Sequence, residues 1–254
     1  MVKNKTQSTW KKAKKIIPGG NMLLSKRPEI FLPNKWPAYF KKAKNCHVTD
    51  LDNKTYLDMS LMGVGTCVLG YANDKVDKAV SKNIKNGNMS TLNCKEEVLL
   101  AEKLIEINPW AQMVKLARTG GEANAIAVRI ARAASGKDNV AFCGYHGWHD
   151  WYLASNIKNK KNLNRHLLKG IPISGVPKNL KGSVFPFKFN NFEELNTLVN
   201  KNKIGVICME VMRNKYPENN FLNKVKKLAR KKGIVLIFDE CTSGFRQNFG
   251  GLHM

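Results

Sequence analysis

Residues 114–150 alternate between segments that favour strand and helix, and that alternation limits the chain to folds built on a parallel sheet. Residues 114–117 are a short, partly apolar run that predicts a strand, Gly120 and Gly121 break it, and residues 122–135 repeat Ala and Ile at helical spacing. Gly136 stands where a helix C-terminus is capped, and residues 140–143 supply the next strand. In such a unit ligands sit at the carboxyl ends of strands. The first turn of the helix leaves backbone N–H groups without partners, glycines let a bulky anion approach them, and Thr119 adds a hydroxyl donor. A phosphate is the natural occupant; a plain tight turn with no ligand is the other use of the same glycine pair.

The 254 residues suffice for one large domain, or one and a fraction, with a substantial core. A formal net charge of +24 raises a nucleic-acid or acidic-membrane partner. The basic residues are overwhelmingly Lys, they are spread from Lys3 to Lys232, and no nucleic-acid-binding module accompanies them, so no nucleic-acid partner is expected. The six cysteines form no CxxC pair and have no His at metal-ligand spacing, which predicts reduced thiols, a cytoplasmic location and no metal. No run approaches signal-peptide or membrane-span length, so no membrane partner is expected either.

Trp10, Ala13, Ile16 and Ile17 fall at helical spacing among lysines and predict a basic amphipathic helix. Residues 28–37, with Pro28, Pro33 and Pro37, read as an extended crossing segment, and residues 46–60 as a β-hairpin turning at Asp52 and Asn53. Glycines at 63, 65 and 70 mark a loop-rich stretch; residues 75–84 and 95–107 predict helices around a polar loop at 87–93. Residues 151–182 show mixed periodicity and no clear element. A helix over 192–199, an apolar strand over 204–209, a basic helix over 221–232 and a buried strand over 234–238 close the series. That last strand delivers Asp239 and Glu240 at its carboxyl end.

A carboxylate at the end of a buried strand needs a charged or donor partner, whether a helix cap, an internal salt bridge or a ligand. Beside Asp239 the chain offers the phosphate-type turn and an aromatic-His-Gly turn, GYHG at 144–147, also directly after a strand. The three together sketch a pocket for a flat, phosphorylated, basic heterocycle. The order and spacing of PGG at 18–20, VTDLDNKTYLDMS at 48–60, LGYAN at 69–73, RTGGEA at 118–123, GYHG, ME at 209–210 and FDECTSGFR at 238–246 resemble class III pyridoxal-phosphate aminotransferases, most closely the glutamate-1-semialdehyde aminomutase-like branch.

The resemblance implies an α/β fold, the fold type I large domain with a mostly parallel but incomplete sheet, behind an N-terminal segment. It divides the chain into residues 1–60, holding the helix, crossing segment and hairpin, and residues 61–254, the cofactor-binding part. It implies pyridoxal 5'-phosphate held by Thr119, Gly120 and Gly121 at the phosphate, Tyr145 on the ring, Asp239 at the ring nitrogen and Cys241 as packing on the other ring face. Asp239 is thereby the catalytic carboxylate, and its replacement by Ala is expected to abolish turnover while largely preserving the fold. Arg27 either holds a substrate carboxylate or belongs to a solvated basic turn.

The implied reaction is amino transfer or intramolecular amino exchange on a small amino acid, keto acid, aldehyde or amino sugar, by a homodimer. The motifs depart from the family at Gly121, where a hydroxyl residue is common, and at Val211, where the family has Pro. Relatives carry a Schiff-base lysine after the Asp-bearing strand, whereas the last lysine here is Lys232. The lysine, two strands lying between the 114–117 and Asp239 strands, and a small domain are therefore expected beyond Met254. The chain alone is then inactive, or an interaction subunit retaining only phosphate-ligand affinity.

Overall fold

Short polar side chains set the element boundaries of the amino-terminal part. The structure, a computed structural model, describes residues 4–60, 62–87, 90–166 and 172–254, the Arg165 side chain excepted, and divides into compact units Met1–Cys94 and Lys95–Met254. In the first unit, helix α1 (Lys5–Ile16) starts at Asn4, whose side chain accepts from the Gln7 N–H. Trp10 and Ala13 are buried, while Ile16 and Ile17 of the same predicted stripe are exposed. A short helix α2 (Pro28–Phe31) interrupts the segment expected to be extended. Pro28 is its first residue, where the missing N–H costs nothing and the fixed φ favours the helix.

Strands β1 (Phe40–Lys44), β2 (His47–Asp50) and β3 (Thr55–Leu57) form an antiparallel sheet in that order. The hairpin closes because Asp50 accepts the N–H groups of Asp52 and Lys54 and the hydroxyl of Tyr56, with Asn53 left-handed at φ 64°. Asp52 in turn accepts from the backbone of Lys5 and Thr6 at the start of α1. Tyr71 pairs with Asn45 and donates its hydroxyl to Asp58. That tie holds residues past the hairpin to it, within the unit Met1–Cys94. Helix α3 (Asp74–Ile84) completes the elements of this unit.

The second unit contains α4 (Lys95–Ile107), α5 (Gly120–Ser135), β4 (Asn139–Cys143), the short helices α6 (Asp150–Leu153) and α7 (Ser155–Lys158), β5 (Val184–Pro186), α8 (Phe192–Lys201), β6 (Ile204–Glu210), α9 (Phe221–Lys232) and β7 (Val235–Asp239). All neighbours in its sheet are parallel, in the order β5-β4-β6-β7. Alternate residues divide between two faces. Val140, Phe142, Val206 and Cys208 pack with Val128 and Ala131 of α5 and with Trp151 and Tyr152, whereas Ala141, Cys143, Ile207 and Met209 pack with Leu195 of α8 and with Phe221, Val225 and Leu228 of α9. Burying each of the larger side chains contributes about 1.5–3 kcal/mol, enough to make α9 a helix of the core despite its lysines. No helix among the described residues is long and apolar enough to cross a membrane.

Two expectations need correction. Residues 114–117 form no strand, because a strand exists only where a neighbour takes its N–H and C=O groups and no described segment does so. The strand over 234–238 is only half-buried until Asp239, since β7 is the last strand of the described sheet and is flanked on one side. The sheet order also reverses: β4 leads to β5 on one side and to β6 and β7 on the other, which opens a crevice over the carboxyl ends of β4 and β6.

Candidate functional site

The start of α5 is fixed by its own side chains. Thr119 is the N-cap: its hydroxyl oxygen accepts from the Glu122 N–H at 3.1 Å, and Glu122 reaches back to accept from the Arg118 N–H at 2.8 Å. The helix consequently begins at Gly120, two residues earlier than the Ala and Ile periodicity indicated. Among the described residues the N–H groups of Gly120 and Gly121 have no acceptor, so the helix presents two free donors and the positive end of its dipole.

Three turns meet at these glycines. A methyl group added to Gly120 would lie 2.7 Å from Cys241 Sγ, and one added to Gly147 would lie 2.7 Å from the Cα of Gly121. Gly147 also has φ 98°, which L side chains rarely adopt. Gly147→Ala is therefore expected to destabilise this unit by about 2 kcal/mol, read as a lowered urea midpoint at unchanged slope. A midpoint equal to that of the parent protein would mean that the 144–147 turn can move away from α5 freely.

Behind the turns Asp239 is buried at the end of β7 with three donors. Its Oδ2 accepts from Asn124 Nδ2 and from His146 Nδ1, each at 2.8 Å, and its Oδ1 accepts from the Cys241 N–H at 3.0 Å. His146 is 1% exposed, and its Nε2 donates to the Cys143 carbonyl at 3.1 Å, so both ring nitrogens carry protons and the ring is an imidazolium. Burial alone would lower the His146 pKa; Cys208 and Asp239 beside it reverse that and raise it to about 10. Burial likewise opposes the charge on Asp239, but His146, the Cys241 N–H and Asn124 hold its pKa down at about 2. The result is a preformed, ionised carboxylate.

Tyr145, half-buried, lies beside this pair, its N–H donating to Glu210 Oε2 at 3.2 Å and its ring centre 5.8 Å from the Arg213 guanidinium. Burial pushes its hydroxyl pKa up. Cys241 is surface-exposed, and its thiol pKa is raised to about 12, first by loss of hydration and then by the charge of Asp239, which keeps it a protonated, weakly nucleophilic thiol near neutral pH. Glu240, next to Asp239 in sequence, has a separate job: its carboxylate accepts from Ser243, Leu252 and His253 and shapes the segment after β7. Arg27 belongs to the amino-terminal unit, where its guanidinium lies against Gly19 and its Nε is buried with no partner among the described residues.

Sequence reasoning named Thr119, Gly120, Gly121, Tyr145, Asp239 and Cys241, and missed His146, Asn124 and Glu210. A signal for Asn124 was present: it is the polar residue one turn inside an otherwise apolar helix face, four positions from Gly120. His146 sits in the GYHG turn that was already singled out, but its partner is 93 residues away.

Comparison with known proteins gives concordant matches. Residues 33–251 match the family described as Aminotransferase class-III. Among curated relatives, a 3-aminobutyryl-CoA aminotransferase of Cloacimonas acidaminovorans is 33% identical over 256 residues, and a glutamate-1-semialdehyde 2,1-aminomutase of Methanobrevibacter smithii is 33% identical over 254 residues. In both cases the match covers 97% of this chain and 57% of the relative, so the chain spans little more than half the length of these relatives. A crystal structure of an omega-transaminase from Sphaerobacter thermophilus superposes with a TM-score of 0.82 at 25% identity, covering 97% of this chain and 57% of that one. Because the family match runs over residues 33–251, most of its length, the chain belongs to the class III aminotransferases.

Proposed function

We propose that this chain holds the cofactor-binding part of a pyridoxal-phosphate-dependent aminotransferase or aminomutase, acting on the amino group of a small amino acid, keto acid, aldehyde or amino sugar. The observation that carries the reading is Asp239: a buried carboxylate held ionised by an imidazolium and two further donors, at the end of the strand beside a helix start with two free N–H groups. The two relatives named above, one an aminotransferase and one an aminomutase, are the reason both reaction types are carried.

The residues fit the cofactor on chemical grounds. A phosphate needs donors, and Gly120, Gly121 and the Thr119 hydroxyl proton provide them where a Cβ on either glycine would intrude on its neighbours. A pyridine ring needs a flat partner and an acid that keeps its nitrogen protonated, and Tyr145 and Asp239 supply these, with Cys241 as packing. When bound, pyridoxal phosphate supplies an electron-accepting ring conjugated to the amino-bearing carbon of the substrate. The chain's own contribution is electrostatic preorganisation. Asp239 stays charged without help from water, because His146 and Asn124 donate to Oδ2 and the Cys241 N–H to Oδ1, leaving one lone pair of Oδ1 for a ring N–H.

The test is pyridoxal phosphate binding followed by visible absorbance, then addition of an amino donor such as glutamate to look for conversion to the amino form. Absence of any cofactor binding at millimolar concentration would sink the reading. Tyr145→Ala is expected to weaken binding by about 1 kcal/mol, roughly fivefold in Kd, as the loss of one stacking contact. Equilibrium dialysis giving the same Kd for both proteins would remove Tyr145 from the site.

A further inference from the structure

Gly121 leaves an opening in the first turn of α5, and His149 fills it. A Cβ built on Gly121 would lie 3.1 Å from His149 Nδ1 and 3.2 Å from its Cε1, so the imidazole occupies the space that a side chain at 121 would need. Turning the ring over about its Cβ–Cγ bond exchanges these atoms for Cδ2 and Nε2, and a nitrogen faces Gly121 either way. The ring is held in place. The His149 carbonyl accepts from the N–H groups of Tyr152 and Leu153, at 2.9 and 3.1 Å, and Trp148 stacks on the imidazole with ring centres 5.1 Å apart and planes 19° from parallel. His149 is also the N-cap residue of α6, yet its side chain makes no capping hydrogen bond there. Nδ1 is enclosed and has no hydrogen-bond partner among the described residues. A buried polar atom left in that state is costly and rare in folded proteins. This one stands beside Gly121, whose own N–H is free, at the positive end of the α5 dipole.

We propose that His149 is a further phosphate-binding residue of this chain, its ring N–H donating to the same anion as the N–H groups of Gly120 and Gly121. Gly121 and His149 then form a matched pair: the imidazole supplies the donor that a hydroxyl side chain at 121 could supply, and it can do so only because 121 has no side chain. A hydroxyl residue at 121 and the imidazole in its present place exclude each other, since the Cβ would press on the ring. The pairing is particular to this chain, because Gly121 departs from a motif that commonly has a hydroxyl residue there. The identity of the anion as the cofactor phosphate rests on the proposed function; the anion contact at His149 does not.

The experiment is calorimetric titration of the protein with pyridoxamine 5'-phosphate, which has no aldehyde to react with lysines, with pyridoxamine, and with inorganic phosphate. His149→Phe keeps a flat ring against Gly121 and removes the donor. It should lose about tenfold in affinity for pyridoxamine 5'-phosphate and for inorganic phosphate, and leave pyridoxamine unchanged. His149→Ala should lose as much, and adding Gly121→Ser to it should restore most of the loss, whereas Gly121→Ser alone should weaken both phosphates because its Cβ meets the ring. Unchanged affinity for both phosphates in His149→Phe overturns the proposal. An equal loss for pyridoxamine overturns it too, since His149 would then be a prop for the turn and not a phosphate contact. A preference for pyridoxamine 5'-phosphate over pyridoxamine that is the same in the parent and in His149→Phe keeps the cofactor reading and defeats His149 alone. Inorganic phosphate bound through His149 in a protein that takes up neither pyridoxamine compound supports His149 and defeats the cofactor reading, and a parent protein that binds neither phosphate at millimolar concentration defeats both.

Discussion

Asp239→Ala is expected to lower the unfolding free energy of the carboxyl-terminal unit by about 3–5 kcal/mol, and not merely to silence a reaction. The motif alone suggested a substitution that spares the fold, because it pictured the carboxylate facing a ligand. The structure gives Asp239 a buried imidazolium as partner, and both side chains are almost fully enclosed, His146 at 0% and Asp239 at 3% side-chain exposure. Deleting the carboxylate leaves His146 with a proton whose natural acceptor is gone, and Asn124 Nδ2 loses one of its two acceptors. Asp239→Asn, which keeps shape and one acceptor, should cost less, and Asp239→Ala combined with His146→Phe should recover part of the loss by removing the stranded charge. Urea unfolding followed by circular dichroism measures all three. A midpoint for Asp239→Ala within error of the parent would show that the pair contributes nothing, and with it would go the claim that the carboxylate is held preorganised. Cofactor affinity should fall as well, since no other described carboxylate ends β7 in that position.

What could be read from the residues follows from which forces act locally. Helices α4 and α9 match their predicted limits because a 3.6-residue apolar stripe is a local property, and β6 was found because seven consecutive residues are buried on both faces. Strand β1, FKKAK, was not found: it is nearly all exposed, and it is a strand because β2 pairs with it. Strand β5, three residues ending in Pro186, is recruited by pairing with β4 in the same way. The reverse case is residues 114–117, which have strand composition and no described partner. At the candidate site, the sequence singles out the glycines, Tyr145 and Asp239 because these residue types stand in short motifs, and the structure brings their three turns together. The Asp239 to His146 bond was not legible, because its two ends are joined only by the sheet order, in which β6 separates β4 from β7. Glu210 was seen only as part of a dipeptide; that it organises Tyr145, Arg213 and Thr242 is a fact of the crevice and not of the strand.

The same ion pair predicts the pH dependence of stability, with a different sign at each end. His146 has a pKa of about 10 in the folded chain against 6.5 for a free imidazole. Below pH 6.5 both states hold the proton and the stabilisation is complete; between 6.5 and 10 the folded state holds one proton more than the unfolded, so stability falls as pH rises, by up to about 1.4 kcal/mol per pH unit. Asp239 runs the other way: its pKa of about 2 lies below the free value of 3.8, so its contribution is complete above 3.8 and is lost as pH falls toward 2. The unit should thus be most stable between about pH 4 and 6.5 and should lose on the order of a few kcal/mol by pH 9.5. Lysine deprotonation also acts near pH 10, so the decisive comparison is with His146→Gln, which starts less stable but lacks this titration. Urea unfolding at pH 5.5, 7.5 and 9.5 (about those values, in matched buffers) should give a steep decline for the parent and a shallow one for His146→Gln. Parallel declines would mean that His146 enters the folded chain uncharged, in which case Asp239 would be held ionised only by Asn124 and the Cys241 N–H.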